Sequence, residues 1–169
     1  PRATNPNSRL LQVSRIGTAY PQADIADRWA TLSAESLKPF SAIGYFLAKR
    51  LNQETQVPIG VINASWGGTS AEVWTPDYLI NHDPTLLSYA QQQQPNNYRP
   101  HETGVLWNAM VAPLAGFNIA AAYWYQGESN VGSWRGYDKL MKTMVSAWRS
   151  AWDHDFPFYF VQIAPFQYN

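Results

Sequence analysis

The sequence contains no cysteine in its 169 residues. This absence excludes disulfide frameworks, thiolate nucleophiles and zinc sites with cysteine ligands. Charge is also scarce, at 14% of the residues, and twelve basic residues balance twelve acidic ones. Since no broad electrostatic field results, we do not expect nucleic acid as a partner. No apolar run reaches the roughly 18 residues that a membrane span requires, so we expect no transmembrane segment.

The beginning of the chain lacks the marks of a complete N-terminus. PRATNPNSRL contains neither an initiator methionine nor the basic and apolar regions of a signal peptide. This start predicts an internal cut or a processed end. The histidines, His82, His101 and His154, lack the spacing of metal ligands. We therefore expect no metal and no other cofactor.

What the chain has in quantity is apolar and aromatic side chains. Hydrophobic residues make up 46% of the sequence and aromatic residues 15%. A chain of this length and composition predicts a globular fold with a buried core, in a single domain over residues 1–169. Most aromatic rings are expected in that core because of their large apolar area, although exposed tryptophans would also suit the faces of sugars.

Short apolar segments alternate with amphipathic ones along the chain. The segments that predict strands are Arg9 to Ile16, Val57 to Ser65, Ile119 to Gln126 and Phe156 to Ala164. Helical spacing predicts a helix capped by Ser41 and a longer one capped by Ser133, with mainly loop between Pro21 and Pro39. Shorter helices are expected after Pro84 and before Pro113. This alternation predicts an α/β fold: three layers, with a doubly wound, mainly parallel sheet.

Two polar loops directly follow predicted strands. They are WGGTS, which contains Gly67 and Gly68, and QGESN, which contains Gln126, Glu128 and Asn130. Because the carboxyl ends of parallel strands meet at one edge, we expect both loops on the same rim, where ligands of such sheets bind.

The chemistry of these loops has a functional and a structural interpretation. Gly67 and Gly68 leave backbone N–H groups unshielded, which suits an anion, but a lone diglycine is more often a simple strand exit. Gln126 and Asn130 carry side-chain N–H donors that suit a developing oxyanion, and Glu128 suits the orientation of a histidine. The structural alternative for Glu128 and Asn130 is capping of the following helix.

Several segments in order resemble a known family. SAIGYFLAKRL, VPIGVINASWGGTSAEVW, VLWNAMVAPL, YWYQGESN and FPFYFVQIAPF are similar to the sialate O-acetylesterase-like branch of the SGNH hydrolases, akin to carbohydrate esterase family six. The resemblance covers most of the chain beyond residue 40. It implies an acetylated carbohydrate as substrate and a serine acyl-enzyme mechanism, in which a serine attacks the acetyl ester and a histidine carries the proton. The glycan substrates of the family imply a periplasmic or secreted protein.

The resemblance also assigns roles to residues of the two loops. Gly68, or Gly67, corresponds to the glycine block of the family. Gln126, Glu128 and Asn130 correspond to the block that contains the amide donor, with Gln126 favoured over Asn130 as that donor. Glu128 resembles a residue that is the triad acid in some relatives, and a structural role is an equal alternative.

The catalytic serine and histidine blocks of that family are missing from this sequence. It has no GQSN-type motif before the glycines and no D-x-x-H near its end. We therefore expect flanking segments or a companion chain to supply both groups, and this segment alone to be inactive. The alternative is a catalytically silent glycan-binding module that uses Trp66, Trp74 or Trp134 as a sugar platform.

Overall fold

The computed structural model of the chain describes residues 5–95 and 97–166, so part of the predicted processed start, residues 1–4, lies outside the described residues. The strands are β1 (Asn5–Gln12), β2 (Ala30–Leu32), β3 (Ile59–Asn63), β4 (Ala122–Trp124) and β5 (Phe158–Phe160). The α-helices are α1 (Ala34–Leu37), α2 (Ala42–Thr55), α3 (Asp77–Asn81), α4 (Pro84–Ala90) and α5 (Tyr137–Trp152). Turns of 3₁₀-helix cover Ala71–Trp74, Ala112–Leu114 and Glu128–Gly136, and a turn of π-helix covers Trp107–Val111.

The chain forms two compact units. Of the described residues, the first contains 5–15 and 25–65, and the second contains 16–24, 66–95 and 97–166. In each unit a parallel strand pair is joined through a helix, β1 to β3 through α2 and β4 to β5 through α5. This arrangement confirms the predicted α/β class with parallel strands. The expectation of a single domain stays a prediction.

The first unit is a three-stranded sheet in the order β2-β1-β3. Its apolar cluster contains Leu10, Leu32 and Phe40. The apolar run Val57 to Ser65 is typical of a central strand covered on both faces, but β3 lies at an edge of this sheet and its residues are partly exposed. The predicted loop between Pro21 and Pro39 contains β2 and the short helix α1.

Helix α2 begins as predicted. The Ser41 hydroxyl accepts a hydrogen bond from the Gly44 N–H at 3.1 Å, which satisfies a backbone donor of the first turn. The apolar face that helical spacing predicts is only partly covered. Ile43 and Phe46 are 63% and 64% exposed, while Leu47 and Leu51 are half-buried. Ala48 is the buried residue of this helix.

The second unit has an aromatic core beneath β4 and β5. Trp124 packs edge-on against Trp74 and Trp148, with ring centroids 6.2 and 5.9 Å apart, and Phe158 joins the same cluster. Helix α5 adds Leu140 and Met144 to the buried residues. The core of this unit therefore includes the last residue of β4, Trp124, which directly precedes the polar loop.

Helix α5 starts later than predicted. Its N-cap position is Gly136 and not Ser133, because Ser133 has φ −111° and ψ 24° and interrupts the turns over Glu128–Gly136. The Ser133 hydroxyl instead donates to the carbonyl oxygen of Asn130 at 3.4 Å. Within the described parts of the chain, no helix combines the length and apolar character needed to cross a membrane.

Candidate active site

The diglycine turn presents backbone donors at the surface of the second unit. Gly67 and Gly68 are both exposed, and Gly68 has φ +76°, a conformation that favours glycine. Among residues 5–95 and 97–166, neither of their N–H groups has a hydrogen-bond partner. An unpartnered, exposed pair of backbone N–H groups is a suitable binding site for a negatively charged oxygen.

The predicted proximity of the two polar loops is confirmed. The Ser129 hydroxyl donates to the carbonyl oxygen of Gly68 at 2.9 Å. The side-chain amide of Gln126 donates to the carbonyl oxygen of Thr69 at 3.1 Å. The QGESN loop is thus bonded to Gly68 and to the residue that follows it, and the two segments form one surface.

Asn130 is the buried link between the loops. Its side-chain oxygen accepts the backbone N–H of Ala71 at 2.9 Å and the Gln126 amide at 2.7 Å. Its amide nitrogen donates to both carboxylate oxygens of Glu72, at 3.0 and 2.8 Å. Every polar atom of this side chain is therefore engaged with the protein.

The availability of side-chain donors differs from the expectation. The two amide protons of Gln126 go to Thr69 and Asn130, while its oxygen accepts the Tyr137 hydroxyl at 2.8 Å. Gln126 and Asn130 brace the two loops in this structure and have no free N–H. Of the donors that the sequence predicted for this site, the backbone N–H groups of Gly67 and Gly68 are the ones without an acceptor among the described residues.

Sequence reasoning missed Glu72. Its carboxylate is 1% exposed and is held by Asn130 and, at 3.4 Å, by the Gln93 amide. No lysine or arginine in the described part of the chain forms an ion pair with it. The signal was a single charged residue in the apolar run AEVW, since a charge inside such a run predicts a buried, hydrogen-bonded group.

Glu128 differs from Glu72 in its exposure. Its side chain is exposed and has no hydrogen-bond or ion-pair partner among the residues that the structure describes. The pKa of the nearby Tyr137 hydroxyl is raised, mainly by burial. The hydrogen bond from the Trp124 indole lowers this pKa, while the negative charges of Glu72 and Glu128 raise it further. Glu128 therefore adds negative charge near the Tyr137 hydroxyl, and its carboxylate has no partner among the described residues.

A mainly apolar cavity of about 340 Å³ adjoins the QGESN loop. Trp124, Trp134 and Ile163 line it, and Gln126 contributes a polar wall. Trp134 is 63% exposed, whereas Trp74 is 3% exposed and is excluded as a sugar platform. No group of three His, Cys, Asp or Glu side chains suited to a metal ion occurs among the described residues.

Comparison with known proteins gives consistent matches. The family model described as carbohydrate esterase, sialic acid-specific acetylesterase matches residues 22–169. Human sialate O-acetylesterase is 28% identical over an alignment of 177 residues, gaps included. That alignment covers 92% of this chain and 33% of the human protein. The mouse protein of the same name is 29% identical over an alignment of 200 residues, gaps included. That alignment covers 94% of this chain and 37% of the mouse protein. The chain thus spans about a third of the length of the curated relatives it matches.

A solved structure resembles this chain as well. A carbohydrate acetylesterase from Xanthomonas citri matches it with a TM-score of 0.79 and 29% sequence identity. The match covers 95% of this chain and 34% of that protein. The similarity therefore extends over both compact units described above.

Proposed function

This chain belongs to the sialic acid-specific acetylesterase family of carbohydrate esterases, and from this premise we propose that it supplies part of the site of a carbohydrate O-acetylesterase. Such an enzyme removes acetyl groups from sialic acid or other glycans through a serine acyl-enzyme. The nucleophilic serine and the histidine are provided outside this segment, by flanking sequence or a companion chain. The observation that carries the proposal is the bonding of the QGESN loop to a diglycine turn whose N–H groups are open.

We assign the oxyanion contacts first to the glycine turn. Attack on an acetyl ester moves negative charge onto the carbonyl oxygen, and preorganised N–H groups stabilise that charge most in the transition state. Gly68 and Gly67 are exposed residues, and their N–H groups have no acceptor in the described chain. They can therefore bind the oxyanion without first breaking another hydrogen bond.

The two amides have different proposed roles. Gln126 becomes an oxyanion donor when one of its amide protons leaves Thr69 or Asn130 for the substrate, because both protons are engaged in the free chain. Asn130 is 2% exposed and keeps the turn in place through Ala71 and Glu72. Its contribution to catalysis is thus to position the donors rather than to contact the acetyl group.

Glu128 is the proposed partner of the histidine. Its carboxylate is exposed and free in the described structure, and it directly precedes the residue that bonds to Gly68. A carboxylate that accepts the imidazole N–H fixes the tautomer of the histidine and stabilises its charged form. In this role Glu128 would acquire its partner when the missing histidine block is present.

The proposal is tested by hydrolysis of p-nitrophenyl acetate. We expect the 169-residue chain alone to release no nitrophenol above the uncatalysed rate, and the complete protein to release it rapidly. In the complete protein, Gly68→Pro should abolish turnover because proline removes the N–H and cannot adopt a positive φ. Turnover by the short chain alone would contradict the assignment of the nucleophile to flanking sequence.

A second candidate function is glycan binding without turnover. It is favoured by the exposure of Trp134, which is 63% exposed beside the apolar cavity and suits stacking on a sugar. This candidate predicts that the complete protein binds saccharides and releases no acetate from acetylated ones. Acetate release that disappears with Gly68→Pro excludes it.

A further inference from the structure

Arg99 lies directly against the diglycine turn. A Cβ atom on Gly68 would come within 2.7 Å of the Arg99 Nη1 atom and 3.5 Å of its Cδ. The glycine therefore provides the space that the guanidinium group occupies. The same Nη1 atom is 3.5 Å from the Ser129 hydroxyl oxygen, at the outer limit of a hydrogen bond.

The guanidinium group of Arg99 has donors to spare. An arginine carries five N–H donors, and the hydrogen bond found for Arg99 in the described chain is the long one to Ser129. No carboxylate of residues 5–95 or 97–166 forms an ion pair with it. By contrast, Arg50 contacts Glu54 at 2.9 Å and Arg149 contacts Asp155 at 2.8 Å.

We propose that Arg99 is the residue that binds the carboxylate of an acidic acetylated sugar at this site, an inference that rests on the proposed function. A guanidinium group binds a carboxylate through two parallel N–H donors, which fixes orientation as well as adding affinity. The position of Arg99 over Gly68 puts this anchor next to the donors assigned to the acetyl oxygen. A sugar held at its carboxylate would thus present an acetyl ester to the turn.

The surrounding charges favour a carboxylate over a more highly charged anion. Glu128 is exposed next to Ser129 in the loop that Arg99 contacts. Its negative charge repels a phosphate dianion more strongly than a carboxylate, which carries a single negative charge. The carboxylate could belong to a sialic acid or to a uronic acid, which share this chemistry.

The test measures binding of unacetylated sugars to the 169-residue chain by titration with NMR detection. The probes are N-acetylneuraminate, its methyl ester, which lacks the charge, and glucuronate. We expect N-acetylneuraminate to bind at least about tenfold more tightly than the methyl ester, a difference of about 1.4 kcal/mol in binding free energy. Binding of glucuronate identifies a general carboxylate site, and its failure to bind restricts the site to sialic acids.

Variants then assign this preference to Arg99. Arg99→Gln should remove the difference between acid and methyl ester, whereas Arg50→Gln, an equal charge change at an exposed position, should preserve it. Equal binding of N-acetylneuraminate and its methyl ester by the unaltered chain would overturn the proposal. This comparison does not depend on whether the variants fold. An acid preference retained in Arg99→Gln would also overturn it. Since no acetyl group is involved, these outcomes are separate from a failure of the esterase assay.

Discussion

Asn130 donates its side-chain amide to both carboxylate oxygens of Glu72, at 3.0 and 2.8 Å. The two side chains are 2% and 1% exposed, so this contact lies inside the protein. A buried carboxylate without a cation is costly unless hydrogen bonds compensate for its lost hydration. The contact therefore stabilises the loop junction and fixes the geometry of the candidate site.

Asn130→Ala should destabilise the fold strongly. The change leaves the Glu72 carboxylate with Gln93 as its remaining side-chain donor and leaves the Ala71 N–H without an acceptor. Unsatisfied buried groups of this kind predict a loss of about 3 kcal/mol in the free energy of unfolding. Urea denaturation of the 169-residue chain measures it.

The matched control for that experiment is Asn81→Ala, at an exposed position at the end of α3. It should change the unfolding free energy by less than about 0.5 kcal/mol. If both variants lose the same amount, the Asn130–Glu72 contact does not contribute as the structure indicates.

Substitution of the two adjacent glycines should give unequal results. Gly68→Ala forces an alanine to φ +76° and places its Cβ against the Arg99 guanidinium group, whereas a Cβ on Gly67 has no neighbour within 4 Å. We expect Gly68→Ala to cost about 1–2 kcal/mol of stability through the left-handed backbone alone. Gly67→Ala should be nearly neutral. Thermal unfolding of the pair checks this, and equal melting temperatures would argue against the positive φ at Gly68.

Tyr137→Phe should change how stability depends on pH. Burial is the largest cause that raises the pKa of the Tyr137 hydroxyl in the folded chain. The unfolded chain loses this proton near pH 10, while the folded chain keeps it, so the contribution is present below about pH 10 and is lost as pH rises further. Phenylalanine has no such proton.

The measurement is the free energy of unfolding between about pH 8 and about pH 11. At the lower end the variant should be less stable by about 1 kcal/mol, because the hydroxyl no longer donates to Gln126. This difference should shrink as the pH rises, whereas Tyr20→Phe, at a 79% exposed position, serves as the control. A difference that grows with pH would contradict the raised pKa.

The elements that depend on local sequence could be predicted. The Ser41 cap was predictable because its partner, Gly44, is three residues away. The meeting of the two polar loops was predicted on the assumption that both follow strands of one parallel sheet. The loops do meet, but β3 and β4 belong to different sheets, so the contact rests on the hydrogen bonds of Ser129 and Gln126 and not on a shared sheet edge. Ser133 was misread as a cap, since its hydroxyl bonds instead to the carbonyl oxygen of Asn130.

The parts of the site that depend on distant partners could not be predicted. The Gln126 amide donates to Thr69, 57 residues earlier, so nothing near Gln126 reveals that its protons are engaged. Arg99 is 30 residues from Ser129 and lies in a segment rich in Pro, Asn and Gln without clear periodicity. Contacts of this kind follow from tertiary packing rather than from local pattern.

The central claim is that the diglycine turn and the QGESN loop form one acetylesterase site. The most direct test is to measure the kcat of the complete protein for p-nitrophenyl acetate after Gln126→Ala. Gln91→Ala, at an exposed position, is the control. We expect Gln126→Ala to lower kcat about 10²- to 10³-fold, because the change removes the proposed oxyanion donor and its bonds to Thr69 and Asn130. Gln91→Ala should retain the original rate. A folded Gln126→Ala protein with an unchanged kcat would contradict a role for these loops in acetyl transfer.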